Sequence, residues 1–389
     1  MPEWQATLDA LQELPEIGTE APIGYEPLIE AAGRVTVPVQ FLLPWDDEYV
    51  DRQNRLAFPR RLPYHPGTVD APEETAELAA DTLRAWALDE DLKRRVMSTP
   101  TLARLAAAVA SRYTAGETAD DAIAAARAGL ARGHLASIDY AGESVRDAAL
   151  ARRETDVFLT LAAAIGRAGI PATVSFDLSQ VGSVIDRDLG LRHAREIAEA
   201  TAPLGTAMMI SAEGSDRAGL MLDLYETLAA EYPHVGITLQ ARLHRTPDDL
   251  ERVLALPGTV RLAKGAFLET DAVAWRRGSP ELTAAYLALA RRLVAARHPV
   301  AFATHDEALA DALIAAHGDA LRQPEAEFEM LMGLGTGLLD RLHGEGYRTR
   351  EYVIFGSEWW LYALNRIAEQ PERVLAALAD MNHLIVRRD

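Results

Sequence analysis

The stretch VRLAKGAFLE, beginning at Val260, places two cations, Arg261 and Lys264, in an otherwise apolar run. An ionised group is not left buried alone, so each needs a counter-charge or a bound ligand. An ion pair to Glu213 or Asp306 would meet that need, and so would an anion or an electron-rich ring held between them. A lysine in such a run also permits Schiff-base chemistry, with Lys264 as the nucleophile of a lyase. Other apolar runs end in a similar way, on Asp139 and Glu143, on Asp177, on Ser211 and Glu213, and on Gln240 and Arg242. Later ones end on Thr304, His305 and Asp306, on Glu329 and on Tyr352. The histidines form neither an HExxH motif nor a pair at metal spacing, so no metal is expected. The glycine-rich MGLGTGLLD, from Met332, lacks the first-strand context of a dinucleotide loop and reads as a tight strand-to-helix turn.

These residues sit at the ends of eight short β-prone runs, which begin at His134, Ala172, Thr206, Val235, Thr259, His298, Glu325 and Arg350. Amphipathic helical patterns separate them, for example TADDAIAAARAGLARG with Thr118 as its N-cap. Strand, helix, strand at this spacing calls for parallel pairing. Eight such units over roughly 240 residues match the size of a closed (β/α)8 barrel better than an open doubly wound sheet. The expected fold is therefore α/β, a (β/α)8 TIM-type barrel, in which strand ends converge on one mouth where active sites lie.

Half of the 20 prolines fall before residue 73, which predicts an irregular segment there. From Glu73 to Arg112 the pattern turns helical, with Leu88, Leu92 and Val96 at i, i+4 spacing. The expected domains are an N-terminal extension over residues 1–112, Pro-rich and then helical, and the barrel over residues 113–389.

The composition narrows the chemistry. The chain of 389 residues has 49% hydrophobic and 25% charged residues, which excludes disorder throughout. Its net charge of −19 repels phosphate backbones and anionic lipid, so nucleic acid is not an expected partner. It has no cysteine, so thiolate sites and disulfides are excluded and redox chemistry requires a bound cofactor. No apolar run reaches membrane-span length and the acidic start is unlike a signal peptide, so the expected location is cytoplasmic. Homo-oligomerisation is common among soluble enzymes but has no specific support in the sequence.

From about Arg112 to Pro371 the chain resembles the proline dehydrogenase family, FAD-dependent (β/α)8 flavoenzymes that oxidise L-proline. The pieces that carry the resemblance run in the family's order. They are RYTAGET, IDYAGES, VSFDLSQVG, ISAEGS, LQARL, RLAKGAF, ATHD, EFEMLMG and EYVIFGSEWWLYALNRIAEQP. The resemblance implies FAD as cofactor, with Gln240, Arg261, Lys264, Gly265, Ala266, Thr304, His305 and Glu369 on its side. Reduced flavin gathers negative charge that a fixed cation stabilises. The implied catalytic residues are Arg261, Tyr362 and Arg366.

The substrate side departs from the family. A family lysine on the second strand and two adjacent arginines on the last helix hold the proline carboxylate, a task suited to bidentate arginine. Here Asp177 stands at the lysine, and Asn365 and Arg366 stand at the arginine pair. Ser211 replaces an acidic residue, Arg242 a tyrosine and Glu329 a glutamine, while Leu331, Tyr352 and Tyr362 keep pocket-lining positions. The family's charge at these positions is about +2; here Arg242 and Arg366 oppose Asp177 and Glu329, leaving about zero. Asp177 either contacts substrate or pairs with Arg242 or Arg366.

The expected function is hydride transfer from an amine or imino acid to flavin N5, giving an imine, on a substrate other than free L-proline. An authentic proline dehydrogenase with a rebuilt carboxylate site is one alternative. A degenerate flavin-binding barrel and a Schiff-base lyase using Lys264 are the others. Quinone and dioxygen both remain open as electron acceptor.

Overall fold

The computed structural model describes residues 82–369, apart from 143, 144, 146 and 268. The Pro-rich segment and the start of the helical pattern before residue 82 therefore lie outside the described residues. The chain divides into two compact units, one of residues 1–105 with 364–389 and one of residues 106–363.

The larger unit is a closed barrel of eight parallel strands in chain order. They are β1 (Leu135–Tyr140), β2 (Ala172–Phe176), β3 (Met208–Ile210), β4 (Val235–Gln240), β5 (Val260–Ala263), β6 (Val300–Ala303), β7 (Ala326–Leu331) and β8 (Thr349–Phe355). Each coincides with one of the eight runs read from the sequence. The helices are α1 (Glu90–Ser98), α2 (Pro100–Ala110), α3 (Ala119–Ala131), α4 (Ala148–Ala168), α5 (Arg187–Thr201) and α6 (Ala218–Glu231). They continue with α7 (Thr246–Val253), α8 (Pro280–Ala295), α9 (Glu307–His317), α10 (Thr336–Gly344) and α11 (Trp359–Glu369). None of the helices among the described residues is long and apolar enough to cross a membrane.

Strand alternation sorts the side chains. In β7, Phe328 and Met330 join the apolar core shared with the helices. Glu327 and Glu329, one residue out of phase, meet arginines from other strands inside the barrel. In β2, Val174 and Phe176 join the core while Thr173 and Ser175 accept hydrogen bonds within the barrel. The outer layer is aromatic near β1 and β2, where Phe158 of α4 lies 5.5 Å from Phe176 and 6.1 Å from Tyr140 between ring centroids.

Local signals fix where helices begin. Thr118 caps α3 in a reciprocal box, accepting from Asp121 N at 3.2 Å while the Asp121 carboxylate accepts from Thr118 N at 2.9 Å. In the smaller unit, Asp89 caps α1 by accepting from Leu92 N at 2.8 Å. That cap starts a new helix and breaks the expected i, i+4 stripe: Leu92 is buried, whereas Leu88 is 74% exposed. MGLGTGLLD forms the turn from β7 into α10. At Gly333 (φ +77°) a Cβ would lie 1.7 Å from the Arg112 carbonyl oxygen, so only glycine admits this approach of two backbones.

Candidate active site

Arg261 projects from β5 into the barrel and is 5% exposed. Its Nε and Nη2 donate to the two Glu329 carboxylate oxygens at 2.7 and 2.8 Å, a bidentate pair within the barrel. Nη1 also donates to Ser175 Oγ and Nη2 to Ser137 Oγ, each at 2.9 Å. The guanidinium lies 4.6 Å from the Tyr352 ring centroid. Burial alone would lower the arginine's pKa, but the charges of Glu329 and Tyr352 and the bond to Glu329 raise it above its ordinary value. The partner is thus Glu329, not Glu213 or Asp306, which the sequence offered as one alternative to a bound ligand. Toward the N-terminal strand ends, the pair borders a cavity of about 290 Å³ also lined by Glu327, Arg348 and Arg350. There Arg350 donates to Glu327 at 2.5 and 3.2 Å.

Toward the C-terminal ends the network continues through hydroxyls. Ser175 and Ser211 share a hydrogen bond of 3.0 Å, and Ser211 Oγ donates to Asp139 Oδ2 at 3.2 Å. The Tyr352 hydroxyl donates to the same Asp139 oxygen. Burial raises the Asp139 pKa to about 6, against the lowering effects of Tyr352, Arg261 and Ser211. The Tyr352 hydroxyl is raised well above its usual range by burial and by the charge of Asp139.

Asp177, just past β2, has its carboxyl pKa raised by burial and by the nearby charges of Asp139 and Glu213, with only Arg217 opposing. Glu213 is engaged by Arg217 at 2.8 Å and by Ser179 N at 2.9 Å. Among the described residues neither Asp139 nor Asp177 has an ion-pair partner within 4.0 Å. Pairing of Asp177 with Arg242, one of the alternatives read from sequence, does not occur. The Arg242 guanidinium instead donates to the Phe267 carbonyl and, at 3.1 and 3.3 Å, to that of Trp275. It clamps the loop between β5 and α8, and burial lowers its pKa.

The same loop carries other expected cofactor residues. Gly265 has φ +108°, and a Cβ there would lie 2.7 Å from Arg242 Cδ. Lys264 Nζ pairs with Asp306 Oδ2 at 2.5 Å, one of the alternatives read from sequence. Asp306 also caps α9, accepting from Leu309 N at 3.0 Å. Burial raises its pKa, but Lys264 and the helix N–H groups outweigh that and hold it below its ordinary value. The neighbouring Thr304 Oγ1 accepts from Asp306 N at 3.1 Å. His305 Nε2 accepts from Leu331 N at 2.9 Å, which requires that nitrogen to be unprotonated. Ala266 offers its carbonyl to Arg277. Gln240 Nε2 donates to the Glu213 carbonyl at 2.8 Å, while its buried Oε1 has no partner among the described residues.

The barrel therefore joins Arg261, Glu329, Ser211 and Tyr352 in one network, with Lys264, Thr304 and His305 around Asp306. Tyr362 lies on α11 within the larger unit, whereas Asn365 and Arg366 fall in the smaller one. The side chain of Glu369, like Glu143, lies outside the described residues. Sequence reasoning had noted Asp139 at a strand end without placing it in the candidate set, and it missed Ser137 and Ser175. The available signal was polar residues alternating with apolar ones inside strands, as in LASIDY and AEFEML.

Residues 122–363 match the family model described as proline dehydrogenase. The chain is 33% identical over 281 residues to the proline dehydrogenase of Deinococcus radiodurans, covering 70% of this chain and 90% of that protein. It is 30% identical over 253 residues to proline dehydrogenase 2 of Bacillus subtilis, covering 64% and 82%. Among solved structures it is similar to proline utilization A of Bdellovibrio bacteriovorus inactivated by N-propargylglycine, with a TM-score of 0.65 and 18% identity over 76% of this chain. A mutant of proline utilization A from Bradyrhizobium japonicum gives 0.60 and 20% over 96%. The chain covers 36% and 40% of those two proteins, and at these identities the likeness concerns the fold alone.

Proposed function

The chain belongs to the proline dehydrogenase family, and on that premise we propose that it is an FAD-dependent dehydrogenase that oxidises a C–N bond to an imine. Its substrate is an amine or imino acid other than free L-proline. The observation that carries this reading is Asp177. It stands where the family has a carboxylate-binding lysine, and it has no ion-pair partner among the described residues. Two unit charges about 4 Å apart at an effective dielectric of about 20 interact by about 4 kcal/mol. In its ionised form Asp177 thus replaces an attraction for carboxylate with a repulsion of that order. In the neutral form that burial and the nearby charges of Asp139 and Glu213 favour, the lysine's attraction is simply lost, and either form favours a cationic or carboxylate-masked amine.

Gln240, Arg261, Lys264, Gly265, Ala266, Thr304, His305 and Glu369 are assigned to FAD by resemblance. The unpartnered Oε1 of Gln240 supports the fit, since it is a buried acceptor that a ring N–H would satisfy. Bound FAD supplies the hydride acceptor. On the substrate side, Tyr352, Tyr362 and Leu331 shape the pocket and Asp177 receives a second amine, since both Glu329 oxygens are taken by Arg261; Arg366 is assigned to an acidic group of the substrate by resemblance alone. Ser211 and, by resemblance alone, Asn365 complete the proposed set, while Arg242 holds the loop between β5 and α8. The reductant's electrons pass onward to a quinone or to dioxygen.

The curated relatives' names favour a second reading, an authentic proline dehydrogenase with a rebuilt carboxylate site. Anaerobic titration of the purified holoenzyme with L-proline, pyrrolidine and aliphatic diamines separates the two. The first reading expects the flavin band to bleach with amines that lack a free carboxylate and to resist L-proline. Rapid bleaching by L-proline alone supports the second.

A further inference from the structure

We propose that Asp139 is the positioning residue for Tyr352 and, through it, the final acceptor of the proton that a substrate amine must shed. The inference rests on the amine-oxidation reading above. A hydride leaves the carbon beside nitrogen only when the nitrogen lone pair is free to form the new C–N double bond, and an aliphatic ammonium has no such pair. The mouth therefore needs a route for one proton.

The geometry supplies one. Asp139 is 7% exposed and its Oδ2 accepts from two hydroxyls, Tyr352 and Ser211. In the proposed step a substrate N–H bond breaks and an O–H bond forms at Tyr352 Oη. The phenolic O–H of Tyr352 breaks as an O–H bond forms on Asp139 Oδ2. The amine is left neutral, Tyr352 is restored and Asp139 holds the proton. The two transfers are concerted, because burial and the charge of Asp139 raise the Tyr352 hydroxyl far above its ordinary range and disfavour a free phenolate.

The surrounding groups keep Asp139 available. Arg261 of β5 lowers its proton affinity, but the guanidinium is engaged bidentately by Glu329 of β7. Ser175 of β2 joins Arg261 to Ser211, and the charge of Asp139 in turn raises the carboxyl of Asp177 just past β2. Burial outweighs the lowering contacts and brings the Asp139 carboxyl to about 6, inside the range where enzymes work.

Two measurements test this. Carboxyl-carbon NMR of aspartate-labelled holoenzyme, with Asp139→Asn to identify the resonance, is expected to give a midpoint near 6. The midpoint should rise in Tyr352→Phe, which loses a donor to the charged form. An ordinary midpoint near 4, or one that Tyr352→Phe leaves in place, overturns the coupling. Steady-state rates with pyrrolidine and L-proline, read with an artificial electron acceptor, give the second test. The wild type is expected to show an acid limb in kcat/KM near pH 6. Asp139→Asn should lose that limb and at least tenfold in kcat at equal FAD content, and Asp139→Glu should regain part of both. An unchanged limb in Asp139→Asn overturns the proton role. Should Asp139→Asn not fold, Ser211→Ala serves for the NMR test and is expected to raise the midpoint. If neither amine reduces the flavin, the substrate reading fails, and the NMR result decides the Asp139–Tyr352 coupling independently.

Discussion

Replacing Glu329 by methionine leaves Arg261 charged, 5% exposed and without its carboxylate partner. The two bonds lost are short, 2.7 and 2.8 Å, and both are charge-assisted. Breaking one side of a buried pair costs about 3–5 kcal/mol. The lower end applies, because Ser137, Ser175 and the Tyr352 ring remain around the guanidinium and the adjacent 290 Å³ cavity offers room for water. For a barrel of this size, about 3 kcal/mol corresponds to a fall in Tm of roughly 6–12 °C. The double variant Arg261→Met/Glu329→Met removes both charges, so the desolvation cost disappears with the attraction, and its stability is expected within about 1 kcal/mol of wild type. Urea and thermal unfolding of the two single variants, the double variant and wild type complete the cycle. A Glu329→Met protein within about 0.5 kcal/mol of wild type, or a double variant less stable than either single one, would show that Arg261 does not depend on Glu329 for its burial.

Three further outcomes are expected. Asp177→Lys should improve kcat/KM for L-proline at least tenfold, mostly through KM, since it reverses the charge a carboxylate meets. Arg242→Gln should speed amide exchange over residues 265–277, because the loop carbonyls of Phe267 and Trp275 lose a buried charged donor; unchanged exchange would show that the clamp is unnecessary. The third outcome concerns pH. The folded Asp139 carboxyl is raised from 3.8 to about 6, so the native state binds the extra proton in that window and stability falls as pH rises through it. Asp139→Asn should remove this loss between pH 4 and pH 8, and unfolding at the two pH values compares it with wild type.

The strands were legible because each alternates or runs apolar over a few residues and is bounded by helical periodicity. Thr118 was readable as a cap from its neighbours alone. The Lys264–Asp306 pair was readable as an alternative because each residue ends an adjacent strand. What sequence could not supply was which side chains share a level inside the closed barrel. Arg261 meets Glu329 only because β5, β6 and β7 align Arg261 with Ala301 and Ala303 with Glu329, and the small alanines between leave the long side chains room to meet. Asp139 and Tyr352 meet because β8 closes onto β1 across more than two hundred residues. Arg242 was read as a pocket charge since nothing local shows that its donors turn to loop carbonyls. Leu88 fell out of its expected stripe for the opposite reason, a local one: the Asp89 cap restarts the helix.

On the proposed reading this barrel oxidises an amine while Asp177 disfavours a free carboxylate. The visible spectrum of the purified holoenzyme, followed under anaerobic conditions on adding pyrrolidine and then, separately, L-proline, tests it most directly. The flavin band is expected to bleach with the amine lacking a carboxylate and to change at least tenfold more slowly with L-proline. Absence of a flavin band, or bleaching as fast with L-proline as with pyrrolidine, would contradict it.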